Sequence, residues 1–187
     1  KAKLAKAISA EGAITDKAMF DNAMADLKKA TEIDPAIGAE FSDLGVSLYK
    51  QKLYVESVAV FDAATKAPNS PNALLDNFYL GNAVLFYVAN DLKTDAERST
   101  PAVQELLKKA DVAYGNVVAG SPTTQDAHLN RAKINRFIVG EEGKTNAVAA
   151  YEKYIEVVTT KGEAEMAKDS VKAGLIGAYS YIGSHFA

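Results

Sequence analysis

Residues 41–48 read Phe-Ser-Asp-Leu-Gly-Val-Ser-Leu, and they are the clearest indication of the architecture. The large residues Phe41, Leu44 and Leu48 recur at three- and four-residue spacing, which is the period of one face of an α-helix. Gly45 lies on the same face and has no side chain, so a neighbouring helix can approach its backbone closely. We therefore expect a helix over residues 37–50 that packs against a partner at Gly45, and we expect Gly45→Leu to be destabilising.

The sequence around this stretch repeats itself. Thirty-four residues separate Leu27 from Phe61, and the same interval separates Ala30 from Ala64. A fixed period of this size is typical of proteins that stack one supersecondary unit. Because one unit cannot bury its apolar face alone, its neighbours must complete the core.

Helical periodicity covers nearly the whole chain, and nothing alternates long enough to predict a strand. Capping residues precede prolines at four typical helix starts: Asp34-Pro35, Ser70-Pro71, Thr100-Pro101 and Ser121-Pro122. Glycines that we predict to end helices or form turns are Gly12, Gly120, Gly140, Gly143 and Gly162. The chain is therefore predicted to be all-α, with one longer loop at Asn90–Thr100 and helices over about residues 2–11, 16–33, 37–50, 54–66, 72–91, 101–119, 124–139, 145–160 and 163–186.

These patterns resemble the tetratricopeptide repeat. Phe41 and Leu48 stand where that family's first helix has Trp and Tyr, around the shared Leu44-Gly45 pair. The second-helix pattern is matched by Ala23, Leu27, Ala30 and Pro35, and again by Ser57, Phe61 and Ala64. Leu80-Gly81 and residues 179–186 are similar to further first helices.

The resemblance implies a right-handed superhelix of helical hairpins, with about four and a half repeats in one domain, 1–187. The repeats are 2–35, 37–70, 72–122 with an insertion, 124–160 and a partial 163–187. Because no second helix follows the last one and the chain opens on Lys1, we expect a fragment of a longer chain. The alanine-rich style resembles tetratricopeptide proteins of Bacteroides-like bacteria, which favours the cell envelope or periplasm over the cytoplasm.

Repeats of this kind pack small residues under large ones. We expect close helix approach at Gly45, Gly81 and Gly183, opposite small residues such as Ala30 and Ala64. The gaps between hairpins should be filled by Phe41, Phe61, Tyr114 and Tyr151. The helix over residues 74–88 is apolar on nearly all sides, which is typical of a buried helix or a contact surface.

Composition and motifs argue against several functional classes. The chain has no cysteine, and its two histidines, His128 and His185, have no ligand at zinc-site spacing, so we predict no metal and no cofactor. Net charge is -3 without a basic stripe, which disfavours nucleic acid, and no apolar stretch is long enough for a membrane span. Phosphate-binding and nucleophile motifs are missing, and Glu141-Glu142 and Glu163/Glu165 are predicted to lie in solvated turns, so we do not expect an enzyme.

First helices line the concave groove of the resembling family. Carried over by motif, the groove residues are Ser42, Val46 and Tyr49, then Phe78, Asn82 and Leu85, then Leu129, Asn130, Lys133 and Arg136, with Arg131 beside them. Their middle is apolar and aromatic, and their end is basic. Phe78 stands where the family's two-carboxylate clamp needs a polar donor, so we do not expect that activity.

We expect a non-enzymatic interaction module that binds a peptide or protein segment, and an acidic-apolar segment suits the groove best. Two alternatives remain open. The groove could hold a small apolar ligand, as in a solute-binding or sensor protein. The module could instead be structural and assemble into a homo-oligomer through the apolar face of its last helix.

Overall fold

The structure is a computed structural model that describes residues 2–9 and 13–185. Over these residues the chain is mainly helical, and its only β pairing is an isolated antiparallel bridge between Ile8 and Ile14. The all-α prediction is therefore confirmed. In chain order the α-helices are α1 (Ala2–Ala7), α2 (Lys17–Ile33), α3 (Ser42–Lys50), α4 (Tyr54–Ala64), α5 (Ala73–Phe86), α6 (Asp95–Arg98), α7 (Pro101–Gly120), α8 (Gln125–Asn135), α9 (Glu141–Lys161), α10 (Glu163–Met166) and α11 (Asp169–His185), with a 3-10 helix at Pro35–Phe41 and a π-helix at Tyr87–Asp91.

The predicted helix over 37–50 is in fact a 3-10 helix followed by α3. Asp34 starts the 3-10 helix, because its carboxylate accepts a hydrogen bond from the Ala36 N–H at 3.0 Å while its own N–H donates to Ala30 O at 2.8 Å. Asp34 therefore ends α2 and begins the next element at once. Among the cap-plus-proline pairs this one works as predicted, whereas Thr100 makes no capping bond and α8 begins three residues after Pro122.

The predicted loop at Asn90–Thr100 is wrong, because it contains the end of the π-helix and all of α6. A capping box starts α6. The Thr94 hydroxyl accepts from the Glu97 N–H at 3.2 Å, and the Glu97 carboxylate accepts from the Thr94 N–H at 2.8 Å. The Thr94 N–H and the Lys93 N–H both donate to the Glu97 carboxylate, and they hold the pKa of Glu97 below its usual range.

Two further boundaries differ from the predictions. The turn expected at Gly143 lies inside α9, where Gly143 is buried so tightly that a Cβ would come within 2.3 Å of Ile138 O. The helix expected over 163–186 is broken between α10 and α11. The glutamates expected in turns lie in the first turns of α9 and α10. Residues 10–11 of the first predicted helix, the turn predicted at Gly12 and Phe186 of the last helix lie outside the described residues.

The chain divides into two compact units, Lys1–Tyr87 and Val88–Ala187. One continuous repeat domain over 1–187 stays a prediction. No helix in the described part of the chain has the length and hydropathy needed to cross a membrane.

In the first unit, α3 packs on α4 and α4 packs on α5, and contacts also join α2 with α4 and α3 with α5. The close approach predicted at Gly45 is confirmed, since a Cβ there would lie 2.6 Å from the ring of Phe61. Phe61 and Ala64 are fully buried, as expected, and the Ser57 hydroxyl donates to Gly45 O at 3.0 Å. The contact between α3 and α4 therefore places small residues under one large ring.

In the second unit, α7, α8 and α9 pack in sequence and α11 packs on α9. Tyr114 and Tyr151 fill the core as predicted. The close approach expected at Gly183 is wrong, because a Cβ there would meet nothing within 4 Å. That role belongs to Gly174, where a Cβ would come within 2.3 Å of the Tyr154 hydroxyl. Tyr154 in turn donates to Val171 O at 3.2 Å.

Candidate functional site

The first unit carries a group of aromatic rings that we call the tyrosine cluster: Tyr49, Tyr54, Tyr79 and Phe86. Tyr49 is its centre, with ring centroids 5.8 Å from Tyr54, 5.2 Å from Tyr79 and 6.0 Å from Phe86. Tyr54 and Phe86 stack at 5.8 Å. Such edge-to-face and stacked pairs hold the rings in defined orientations.

Local structure explains why these rings meet. Tyr49 lies in the last turn of α3 and Tyr54 is the first residue of α4, after a connection of only three residues. Lys52 turns the chain there with a φ of 62°, and the Leu53 N–H donates to Leu48 O at 3.0 Å. Tyr79 and Phe86 are seven residues apart on α5, so they share one face of that helix. Phe61 supports them by stacking on Tyr79 at 5.7 Å.

The tyrosine hydroxyls of the cluster have no hydrogen-bond partner among the described residues. No hydrogen bond joins the Tyr49, Tyr54 or Tyr79 hydroxyl to any described residue, and none of these oxygens is sealed from solvent. Burial raises the pKa of the Tyr49 hydroxyl, and the nearby Tyr54 and Tyr79 hydroxyls add to that effect. The cluster thus combines apolar ring surface with hydroxyl groups that can still donate and accept.

The groove residues predicted in the first unit differ in accessibility. Val46, Tyr49 and Phe78 are half-buried, so their surfaces can be touched from outside. Asn82 and Leu85 are buried in α5. Ser42 is also buried, and its hydroxyl lies 3.0 Å from the Asp76 carboxylate and 3.2 Å from Ala39 O. Ser42 therefore serves the interior of the unit.

Sequence reasoning missed Asp76, whose side chain is fully buried at the start of α5. One carboxylate oxygen accepts from the Ser42 hydroxyl, and the other, Oδ1, has no partner among the described residues. Burial raises the pKa of this carboxyl against the opposing effect of the Ser42 hydrogen bond, and the Asp43 carboxylate raises it further. An acidic residue among the apolar neighbours Leu75 and Phe78 was the available signal.

The second unit carries a group of side chains that we call the cationic patch: Lys133 in the last turn of α8, Arg136 directly after the end of α8, the buried ring of Tyr151 and the half-buried ring of Tyr181. Arg136 Nη1 lies 3.4 Å from the Tyr151 hydroxyl, and its guanidinium carbon lies 5.1 Å from the centre of the Tyr181 ring. Lys133 lies three residues before Arg136, which is the C-cap residue of α8 and keeps helical backbone angles, so the two side chains lie on the same side. The predicted basic end of the groove is therefore brought together with tyrosines from α9 and α11.

Neither cation of the patch has an ion-pair partner in the part of the chain that the structure describes. No carboxylate among the described residues lies within ion-pair distance of Lys133 or Arg136. Burial lowers the pKa of Lys133; Asp126 opposes that shift, and the charge of Arg136 adds to it. An anion placed between the two cations would offset the cost of burying the Lys133 charge and would relieve its repulsion from Arg136. The patch therefore favours an anionic ligand.

The other residues considered in this unit have structural surroundings. Leu129 is half-buried against the core of α9 and α11, and Asn130 is half-buried beside it. Arg131 grips the Asp111 carboxylate with two bonds of 2.8 and 3.1 Å, so it joins α8 to α7. His128 is buried with Nε2 2.8 Å from Pro122 O, and His185 is exposed in the last turn of α11.

An apolar groove of about 320 Å³ lies in the first unit, between α1, α2 and the 3-10 helix. Leu4, Met24, Leu27, Ile37 and Phe41 form most of its lining. An ion pair between Lys3 and Asp26, at 2.6 Å, lies at its rim. Within the described residues, no three metal-ligating side chains come together anywhere.

Comparison with known proteins does not assign a function to these surfaces. No family model matches the sequence, and no curated protein is significantly similar to it.

Proposed function

We propose that this chain consists of helical-hairpin repeats of the tetratricopeptide type and binds a segment of another polypeptide without catalysing a reaction on it. The observation that carries the proposal is the cationic patch. Lys133 and Arg136 lie one turn apart, beside the tyrosine rings at 151 and 181, and neither has a carboxylate partner among the described residues. Two neighbouring cations that no described carboxylate neutralises favour the binding of an anion.

The internal register of each unit supports the repeat proposal. In the first unit the Ser42 hydroxyl bonds to the Asp76 carboxylate, and these residues are 34 positions apart. In the second unit the Gln104 amide bonds to Phe137 O and accepts from the Val139 N–H, at separations of 33 and 35. Contacts one period apart are expected when successive hairpins stack in phase.

The chemistry of the patch supports an acidic-apolar segment as ligand. A carboxylate could pair with both cations, and the ring face of Tyr181 and the half-buried Leu129 offer apolar contact beside it. Lys133 is half-buried and Arg136 is exposed, and charges so placed chiefly set specificity and association rate. Cations and ring faces bind such a segment without needing a nucleophile or a general base.

Selection from a random peptide library on the immobilised protein tests this function. We expect the enriched peptides to share an acidic residue next to aliphatic or aromatic residues. Calorimetry with a selected peptide should then show that Lys133→Glu with Arg136→Glu weakens binding by about tenfold or more, because attraction becomes repulsion. High salt should weaken binding to the native chain.

The matched control reverses two exposed lysines elsewhere in the same unit, Lys108→Glu with Lys172→Glu. This variant has the same net charge as the patch variant and should bind almost as the native chain does. No enriched consensus, a basic consensus, or equal affinity for both variants would reject the proposal.

The apolar groove of the first unit favours a second candidate, a small apolar ligand. Its volume is about 320 Å³, at the lower end of the range of small-molecule sites. Native mass spectrometry of the purified protein should then reveal a bound apolar molecule that Ala23→Phe, which fills the groove, removes. A ligand-free spectrum for the native chain would eliminate this candidate.

A further inference from the structure

The tyrosine cluster contains hydroxyl groups that form no hydrogen bond with the described residues. Tyrosine hydroxyls in packed surroundings usually find a partner. Here three of them, on Tyr49, Tyr54 and Tyr79, have none among the described residues, although Tyr54 is largely buried. None of the three oxygens is completely sealed from solvent, and the side chains of Tyr49 and Tyr79 are only half-buried. The cluster is therefore prepared for a partner that accepts hydrogen bonds.

The ring surface around these hydroxyls is also partly uncovered. Phe86 keeps 37% of its surface exposed while stacking on Tyr54, and Tyr49 is half-buried between them. None of the four cluster side chains carries a formal charge at neutral pH. A partner of this surface should accordingly be uncharged, should have apolar groups that lie flat on rings, and should carry exposed acceptors.

Peptides are bound in a few backbone conformations, and they differ in whether their carbonyls are free. A strand adds to a sheet edge, and the described residues present no strand whose edge could pair. A helix has bonded its own carbonyls internally and would leave the tyrosine hydroxyls unmatched. A polyproline II segment makes no internal hydrogen bonds, so all of its carbonyls can accept.

We propose that the tyrosine cluster docks a proline-rich segment in the polyproline II conformation, whose main-chain carbonyls accept hydrogen bonds from the hydroxyls of Tyr49, Tyr54 and Tyr79. The proline rings pack on the faces of Tyr49 and Phe86. Because such a segment is already extended before it binds, little conformational entropy is lost on docking. This inference rests on the proposed peptide-binding function and names the class of segment that the first unit takes.

Titration with an uncharged oligoproline peptide tests the inference. In calorimetry we expect saturable binding, weakened by about two- to tenfold in Tyr49→Phe and again in Tyr79→Phe, because each change removes one hydroxyl and keeps the ring. Tyr179→Phe is the matched control, since Tyr179 is 59% exposed on α11, and it should leave affinity unchanged. Thermal melts of the three variants should coincide with that of the native chain.

Ring-labelled tyrosine gives a second readout. The nuclear magnetic resonance signals of Tyr49, Tyr54 and Tyr79, assigned from their Phe variants, should shift with oligoproline, while that of Tyr179 should not. A flat isotherm, equal affinities of native and cluster variants, or cluster signals that respond to an amphipathic helical peptide instead would overturn the inference.

The selected acidic peptide separates this inference from the proposed function. If that peptide binds and depends on Lys133 and Arg136 while oligoproline does not bind, only the inference about the tyrosine cluster fails. If neither peptide binds, the peptide-binding function fails with it.

Discussion

At Gly45 a single missing side chain allows two helices to meet. The ring of Phe61 occupies the space where a Cβ would be, at 2.6 Å, and Phe61 cannot easily move because it is fully buried and stacked on Tyr79. Gly177 on α11 is the opposite case, since a Cβ there would meet nothing within 4 Å.

The same substitution, glycine to alanine, should therefore have different effects at Gly45 and Gly177. Gly45→Ala should destabilise the protein by about 1–3 kcal/mol through overpacking. Gly177→Ala should be neutral or stabilise it by up to about 1 kcal/mol, because alanine is the better helix former. Urea unfolding followed by circular dichroism measures both, and equal midpoints for the two variants would contradict the packing at Gly45.

Asp76 presents a different residue-scale problem, a buried carboxyl whose pKa is raised mainly by burial. A raised pKa in the folded state means that folding favours the protonated form. The stability contributed by this group is complete below the unfolded pKa of about 3.9 and is lost as pH rises through the folded pKa. At neutral pH, the ionised Asp76 carboxylate therefore lowers the stability of the folded protein.

We expect Asp76→Asn to gain stability relative to the native chain as pH rises from about 4 towards neutrality, because the amide does not ionise. Urea unfolding at several pH values measures the difference between the two proteins. Asp43→Asn, which removes only the neighbouring charge, should show a smaller change of the same sign. A difference that does not depend on pH, or that shrinks as pH rises, would refute the assignment.

At the scale of elements, α7 and α8 are joined by a polar network. Asp111 accepts two bonds from Arg131 and one from the Asn135 amide, and Asn135 is fully buried. Arg131 and Asp111 are both partly shielded from water, unlike the exposed pair of Lys17 and Asp21 on α2. Shielded, geometrically defined bonds to charged groups stabilise more than exposed ion pairs do.

Asp111→Ala should cost about 1–3 kcal/mol of unfolding free energy, because it leaves the Arg131 and Asn135 donors without their acceptor. Asp21→Ala should cost no more than about 0.5 kcal/mol, and that cost should vanish in high salt. Urea unfolding in low and high salt compares the two. Equal costs would mean that the Asp111 network does no more than a surface pair.

At the scale of the whole molecule, the division into two compact units predicts where a substitution is felt. Gly45→Ala should speed hydrogen exchange in peptides from α2 to α5 and leave peptides from α7 to α9 nearly unchanged. Gly174→Ala, which places a Cβ against the Tyr154 hydroxyl, should do the reverse. Hydrogen-exchange mass spectrometry measures both variants. Faster exchange throughout the chain in either one would show a single cooperative unit instead.

Much of the helical framework was predictable because its signals are local. The period of Phe41, Leu44 and Leu48 predicts α3, and the pairing of Gly45 with a large residue on the next helix follows from the repeat spacing. The loop predicted at Asn90–Thr100 was wrong because the prediction relied on the polar composition of these residues and missed the short capping box at Thr94 and Glu97. Gly143 was also mispredicted, because a sequence does not distinguish a glycine packed against a backbone carbonyl from a glycine in a turn.

The candidate surfaces were only half predictable. Tyr49, Lys133 and Arg136 were found because the resemblance to a helical repeat predicts that they face a groove. Ser42 falls at such a position too, yet its hydroxyl serves the buried Asp76 instead. Nothing near Tyr49 in the chain shows that Tyr79 and Phe86, from another helix, complete its surroundings.

The amino-acid sequence by itself determined the helices, most of their short connections and the matching of small with large residues, because each of these depends on neighbours within a few turns or on a regular period. Only the tertiary structure decided which of the predicted groove positions are exposed, and which hydroxyls and cations have no partner among the described residues. The physical reason is that exposure and hydrogen bonding depend on groups far apart in the chain, and no local pattern specifies those distances.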